Sequence, residues 1–129
     1  PPWPVIAADT CVVLDGAILG KPRDAVEAAT WLRRYSNRSH TVLTAVAVHF
    51  GPRLELSVQR STVRFGPLSE RAIAAYVASG EPFDKAGGYG IQGRAAAFVE
   101  RLAGSYSGVM GLPLYETVEL LKSIGYDPD

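Results

Sequence analysis

The sequence has little of what several large classes of protein require. Its single cysteine, Cys11, cannot form a disulfide within the chain, which argues against a disulfide-stapled secreted domain. Lysine plus arginine and aspartate plus glutamate number 13 each, so no cationic excess favours a nucleic acid polymer. No apolar run approaches the roughly 20 residues of a membrane-spanning helix, and no signal peptide is visible. We therefore expect a cytoplasmic protein that binds neither a membrane nor a nucleic acid polymer.

Two further kinds of site lack the residue spacing that they need. His40 and His49 have no cysteine or carboxylate at zinc-ligand spacing, so both are expected to be structural or surface residues. Ser105 and Ser107 are not framed by the glycines of a hydrolase nucleophile turn. The sequence thus argues against a zinc centre and against covalent serine catalysis.

The most informative segment that is present is rich in glycine. Residues 87–93 contain four glycines, and backbone without side chains can approach a ligand closely. Asp84 and Lys85 stand before it, Tyr89 offers a ring that can stack on a base, and Gln92 supplies an amide that both donates and accepts. A nucleotide presents an anion, a polar base edge and a ring. The segment therefore indicates a nucleotide site, with a plain glycine-rich turn as the alternative.

Apolar periodicity predicts alternating strands and helices. A strand over 5–8 ends in Asp9 and Thr10. Residues 41–50 and 54–58 form a half-buried hairpin with one exposed face, because apolar Leu54, Leu56 and Val58 alternate with polar residues. Asp24 and Ser69 are expected to cap helices over 25–35, burying Val26, Ala29 and Leu32, and over 70–78. A strand over 95–102 and a helix over 114–124 follow. This order predicts an α/β fold, a mixed β-sheet with flanking helices, in one domain over residues 1–129.

Several short blocks carry a family resemblance. The run Asp84–Gly93 closely resembles the signature of the Maf family of nucleoside triphosphate pyrophosphatases. Further blocks agree in the family's order: Ala8-Asp9-Thr10, Gly20-Lys21-Pro22, Tyr76–Pro82, and Ser105-Tyr106-Ser107 leading to Gly111-Leu112-Pro113. Collinear blocks over essentially the whole chain are far more specific than a lone glycine motif. The resemblance implies a Maf/ITPase-like fold.

The amino end departs from the family pattern. Maf proteins resemble one another in beginning with a strand, a Ser-x-Ser-Pro-Arg-Arg loop and a helix, and no Ser-Pro-Arg-Arg occurs here. We therefore expect the chain to be the carboxy-terminal two-thirds of a Maf domain, with the N-terminal strand and helix missing. The family's phosphate-binding arginine then has no counterpart. An enzyme, a non-catalytic nucleotide-binding or regulatory module and an inactive fragment all stay open.

The resemblance also implies catalytic roles. Asp9 is the proton acceptor and is associated with a divalent metal ion, Mg²⁺ or Mn²⁺. Lys21 and Lys85 are expected to place positive charge on phosphate oxygens. The alternatives are a turn-capping aspartate and solvated surface lysines.

Substrate selectivity follows from the same comparison. Thr10 and Gln92 are similar to the residues of the Maf subgroup that acts on dTTP and UTP, and Gln92 can pair with the imide edge of thymine or uracil. Asp84, Gly87 and Gly88 complete the expected substrate-binding set. The resemblance implies hydrolysis of dTTP, UTP and modified pyrimidine nucleotides to the monophosphate and pyrophosphate. It also implies a homodimer and a connection with arrest of cell division at septum formation.

Overall fold

The computed structural model describes residues 3–126, and within that range five strands form one sheet in the order β2-β1-β3-β4-β5. The strands are β1 (Val5–Leu14), β2 (Ala17–Leu19), β3 (Ser39–Phe50), β4 (Arg53–Phe65) and β5 (Val99–Ala103). The predicted α/β class with flanking helices is confirmed. The pairings of the described strands are antiparallel rather than mixed.

The described range also holds four α-helices: α1 (Ala25–Tyr35), α2 (Glu70–Ala78), α3 (Tyr106–Met110) and α4 (Leu114–Ser123). Both expected N-caps are confirmed. An Asp24 side-chain oxygen accepts the Glu27 N–H at 2.8 Å, and the Ser69 hydroxyl accepts the Ala72 N–H at 3.0 Å. No helix within residues 3–126 is long and apolar enough to cross a membrane.

Three local predictions are wrong in detail. Strand β1 continues through Asp9 and Thr10 instead of ending there, because the apolar residues 11–14 extend it. Residues 94–98 form a 3₁₀ helix, and the strand expected over 95–102 is confined to β5. In α1, Val26 is 74% exposed. The buried side chains of that helix are Ala28, Leu32 and Tyr35.

The main core lies on one face of the sheet, between the strands and helices α1 and α2. Strand residues of this face include Val12, Val42 and Val63, which lie in one cluster with Leu32 of α1 and Ile73 of α2. A second, smaller cluster joins Val48 of β3 to Leu121 and Ile124 at the end of the chain. Described helices from both halves of the chain thus cover the same face of the sheet.

The opposite face is open along the β3–β4 hairpin. Side chains alternate between the two faces of a strand, and the outward set over the first half of β4 is apolar. Leu54, Leu56 and Val58 of this set are 60%, 68% and 67% exposed. The expected hairpin with one exposed face is confirmed, but the alternation predicted that Leu54, Leu56 and Val58 would form its buried side, and the structure exposes them instead.

Candidate functional site

A cleft of about 580 Å³ lies between the glycine-rich segment, α3 and the helix-covered face of the sheet. Pockets that hold small organic ligands measure about 300–1,000 Å³. The apolar part of its lining comes mainly from Val12, Val42, Ile91, Val109 and Met110, and the polar part includes Thr10, Glu81, Asp84, Lys85 and Gln92. The cleft therefore offers an apolar wall facing a set of charged and hydrogen-bonding groups.

Four of the residues expected from the sequence to form the site meet in this cleft: Thr10, Asp84, Lys85 and Gln92. The Lys85 Nζ lies 3.8 Å from an Asp84 carboxylate oxygen, and both side chains remain open to solvent. The Gln92 side chain is exposed, and its Nε2 donates to the sulfur of Met110. A cation and an amide thus face the same cavity.

The hydrogen bonds of Thr10 decide what its hydroxyl can offer. The Thr44 hydroxyl donates to the Gly108 carbonyl at 2.5 Å, and the Thr10 and Thr44 hydroxyl oxygens lie 3.1 Å apart. Because a hydroxyl carries one hydrogen, Thr44 has none left for Thr10, and Thr10 must donate to Thr44. The free lone pair of Thr10 is therefore an acceptor at the cleft surface.

Asp9 lies on the other face of the sheet. Neighbouring residues of a strand point to opposite faces, and Thr10 faces the cleft. Asp9 pairs with Ala45, which pairs in turn with Val58 of the open face. It is exposed and borders a separate, shallow pocket of about 220 Å³. The structure does not bring Asp9 together with Lys85 and Gln92.

Lys21 is also outside the cleft lining. Its side chain is exposed, and the carbonyl of the preceding residue, Gly20, accepts the Gly87 N–H at 2.9 Å. This bond attaches the Lys21 loop to the back of the glycine-rich segment. Its expected contact with phosphate therefore stays a prediction.

The described residues do not by themselves form a cluster of metal ligands, and the expected divalent metal ion stays a prediction. Mg²⁺ prefers oxygen ligands, including carboxylates. Within residues 3–126, no group of three or more His, Cys, Asp or Glu side chains could hold a metal ion. Glu81 and Asp84 line the cleft, whereas Asp9 is on the far side of the sheet. No chemical step is therefore assigned to a metal.

Gly87 and Gly88 are buried, and both have positive φ values, +77° and +82°. A Cβ on Gly87 would lie 2.4 Å from a methyl carbon of Val12. Their N–H groups already donate within the protein, to the carbonyls of Gly20 and Lys85. These glycines therefore let the segment pack closely on β1, and their expected contact with substrate stays a prediction.

A cluster of buried aromatic rings contacts the glycine-rich segment and supports it. Tyr89 is only 6% exposed, and its hydroxyl lies 2.5 Å from Nε2 of the buried His40. The Tyr35 hydroxyl donates to the Gly87 carbonyl at 2.5 Å. Burial lowers the pKa of His40 to about 4. The Tyr89 ring is thus part of the support, and most of its face is not free to stack on a base.

Sequence reasoning missed Glu81 and Tyr76. Tyr76 lies near the end of α2, and its hydroxyl donates to a carboxylate oxygen of Glu81. Burial raises the pKa of Tyr76, so this hydroxyl keeps its proton. The other Glu81 oxygen accepts the Arg94 N–H at 3.2 Å. The only sequence signal for this pair was its place in the block Tyr76–Pro82.

Comparison with known proteins identifies the family of the chain. Residues 1–124 match the family model described as Maf-like protein. The dTTP/UTP pyrophosphatase of Neisseria meningitidis serogroup B is 54% identical over 126 residues, which are 98% of this chain and 62% of that protein. The dTTP/UTP pyrophosphatase of Aromatoleum aromaticum is 57% identical over 122 residues, 95% of this chain and 59% of that protein.

A third relative gives the same picture. The dTTP/UTP pyrophosphatase of Burkholderia lata is 58% identical over 125 residues, 95% of this chain and 60% of that protein. The chain thus spans about three-fifths of the length of the curated relatives that it matches. The family model covers nearly the whole chain, and these relatives are more than half identical to it. The chain therefore belongs to the Maf family.

Proposed function

We propose that the protein carrying this chain hydrolyses dTTP and UTP to the monophosphate and pyrophosphate. The observation that carries the proposal is the convergence of Thr10, Lys85 and Gln92 on one cleft of nucleotide size. Its relatives' name, dTTP/UTP pyrophosphatase, supports the same substrates. Modified pyrimidine nucleotides with an intact imide edge belong to the same substrate class.

Base recognition would rest on Gln92 and Thr10. Uracil and thymine present an acceptor, a donor and an acceptor along their imide edge. The Gln92 amide can match one acceptor and the donor, and Thr10 offers a further acceptor for a sugar hydroxyl. A base with another pattern would cover these polar groups and leave them unpaired, which is the strongest way for a site to reject it.

Phosphate binding would rest on Lys85, whose ammonium group can neutralise charge on the transferred phosphate oxygens. Lys21 is proposed for the same task and Asp9 as the proton acceptor for the attacking water. The roles of Lys21 and Asp9 are supported by the family resemblance alone. We also infer a divalent metal, a cytoplasmic location, a homodimer and a link with septum formation on that basis.

The proposal is tested by measuring pyrophosphate release from dTTP, UTP, CTP and GTP with Mg²⁺ or Mn²⁺. We expect turnover of dTTP and UTP and little of the other two. Equal turnover of all four nucleotides, or of none, would contradict it.

A second candidate is a nucleotide-binding module without turnover. It is favoured by one observation: Asp9 and the cleft lie on opposite faces of the sheet. Calorimetric titration with UTP separates the two candidates, because a binding module would bind UTP tightly and release no pyrophosphate.

A further inference from the structure

The Glu81 carboxylate is half-buried in the wall of the cleft, and both of its oxygens are used within the protein. One oxygen accepts the Tyr76 hydroxyl and the other accepts the backbone N–H of Arg94 at 3.2 Å. The same Tyr76 hydroxyl oxygen accepts the backbone N–H of Gly90 at 3.2 Å. Glu81 and Tyr76 therefore act as one unit that holds Gly90 and Arg94.

The two residues held by this unit flank Gln92 at equal spacing. Gly90 precedes Gln92 by two positions and Arg94 follows it by two. Between them the chain turns, with the Gly93 N–H donating to the Gly90 carbonyl at 3.1 Å. Ile91, beside Gln92, is only 7% exposed and anchors the turn in the cleft wall. The position of the Gln92 backbone is thus set from both ends.

The fit of the turn against Glu81 is close. A Cβ on Gly93 would lie 1.9 Å from a Glu81 carboxylate oxygen, so only glycine lets the backbone lie on the carboxylate. A charged acceptor also forms stronger hydrogen bonds with N–H and O–H donors than a neutral one does. The carboxylate therefore serves as the template on which residues 90–94 fold.

We propose that Glu81, together with Tyr76, is a positioning residue that sets where the Gln92 amide stands and thereby determines which base is accepted. This inference rests on the proposed function and adds a specificity-determining pair to it. Neither side chain needs to touch the reacting phosphate. Loss of the pair should therefore affect the choice of base and the KM more than the kcat.

The test is Glu81→Gln in the purified protein, with kcat and KM measured for UTP and CTP. A glutamine keeps the shape but removes the charge and turns one acceptor into a donor, which must face either the Arg94 N–H or the Tyr76 hydroxyl and so disturbs the turn. We expect the preference for UTP over CTP to fall about tenfold through the KM, with kcat for UTP little changed. Glu100→Gln is the matched control, since Glu100 loses the same charge in a surface pair with Arg64 at 3.4 Å.

Tyr76→Phe is the second variant, because it removes only the hydroxyl and retains the buried ring. We expect Tyr76→Phe to lower the preference for UTP over CTP. Glu81→Asp, which keeps the carboxylate, should retain more of this preference than Glu81→Gln does. Unchanged base preference in both Glu81→Gln and Tyr76→Phe would overturn the inference while leaving the proposed function intact. Absence of turnover and of base preference in the wild-type protein would overturn the proposed function itself.

Discussion

His40 shows how one buried side chain can make the stability of the protein depend on pH. It is 4% exposed, and among the described residues its Nδ1 has no hydrogen-bond partner. A proton on this ring would add an unsolvated charge beneath the glycine-rich segment. The packing of Tyr35, Phe65 and Tyr89 around the ring therefore favours the neutral form of His40.

The pKa of His40 is about 4 in the folded state against 6.5 ordinarily, so the unfolded chain takes up the proton first as pH falls. The contribution of His40 to the free energy of unfolding should be fully present above pH 6.5. It should decrease by about 3 kcal/mol in total as the pH falls toward 4. Urea unfolding at several pH values measures this. His40→Gln should lose much less stability over the same window, and parallel curves for the two proteins would refute the role of His40.

Gly87 provides a second test at the residue scale. Gly87→Ala would place a Cβ 2.4 Å from Val12 at φ +77°. We expect a loss of about 2–4 kcal/mol in the free energy of unfolding, from strain and overpacking together.

Gly16→Ala is its control, since Gly16 has the same φ of +77° and a Cβ added there would meet no described atom within 4 Å. Strain alone should make that variant about 1 kcal/mol less stable. Equal losses in the two variants, measured by chemical unfolding, would show that the contact with Val12 is unimportant.

At the scale of elements, local sequence signals were sufficient to predict the features whose interacting residues lie close together in the sequence. The caps at Asp24 and Ser69 and the start of α4 were predictable, because each depends on residues within one turn. The Glu81 unit was not, because the Gly90 and Arg94 N–H groups reach it only after the chain has folded back. Thr10, Lys85 and Gln92 were predictable as a set only through the family motif.

The cap of α1 supplies a prediction for this scale. Asp24→Ala removes the acceptor for the Glu27 N–H, which lies 2.8 Å away. We expect the free energy of unfolding to fall by about 1 kcal/mol, and Asp24→Ser to retain most of it. Thermal unfolding of both variants measures the difference, and an equal loss for alanine and serine would argue against a capping role.

At the scale of the whole molecule, the sheet separates two sets of polar residues. Thr10, Lys85 and Gln92 lie on the helix-covered face and Asp9 on the open face. This separation was not predicted because the strand was expected to end at Asp9 and Thr10, whereas the apolar residues 11–14 carry β1 straight through them. Had the strand ended there, both side chains could have turned toward one site.

The roles proposed for Asp9 and Lys85 predict distinct effects for substitutions on the two faces. Asp9→Asn should lower kcat for UTP by roughly 10²- to 10⁴-fold if Asp9 is the proton acceptor, and leave the Kd for UTP unchanged. Lys85→Ala should weaken binding of the triphosphate instead. Steady-state kinetics and calorimetry measure the two effects, and full turnover in Asp9→Asn would remove Asp9 from the mechanism.

The β3–β4 hairpin, with its short connection at Gly51-Pro52, also bears on the order in which the chain folds. Contacts between residues close in sequence form quickly, whereas the cleft joins β1 to residues some eighty positions later. We therefore expect the hairpin to form early and the wall made by residues 84–93 to close last. Segments that form late commonly open at low cost, so nucleotide entry need not disturb the sheet.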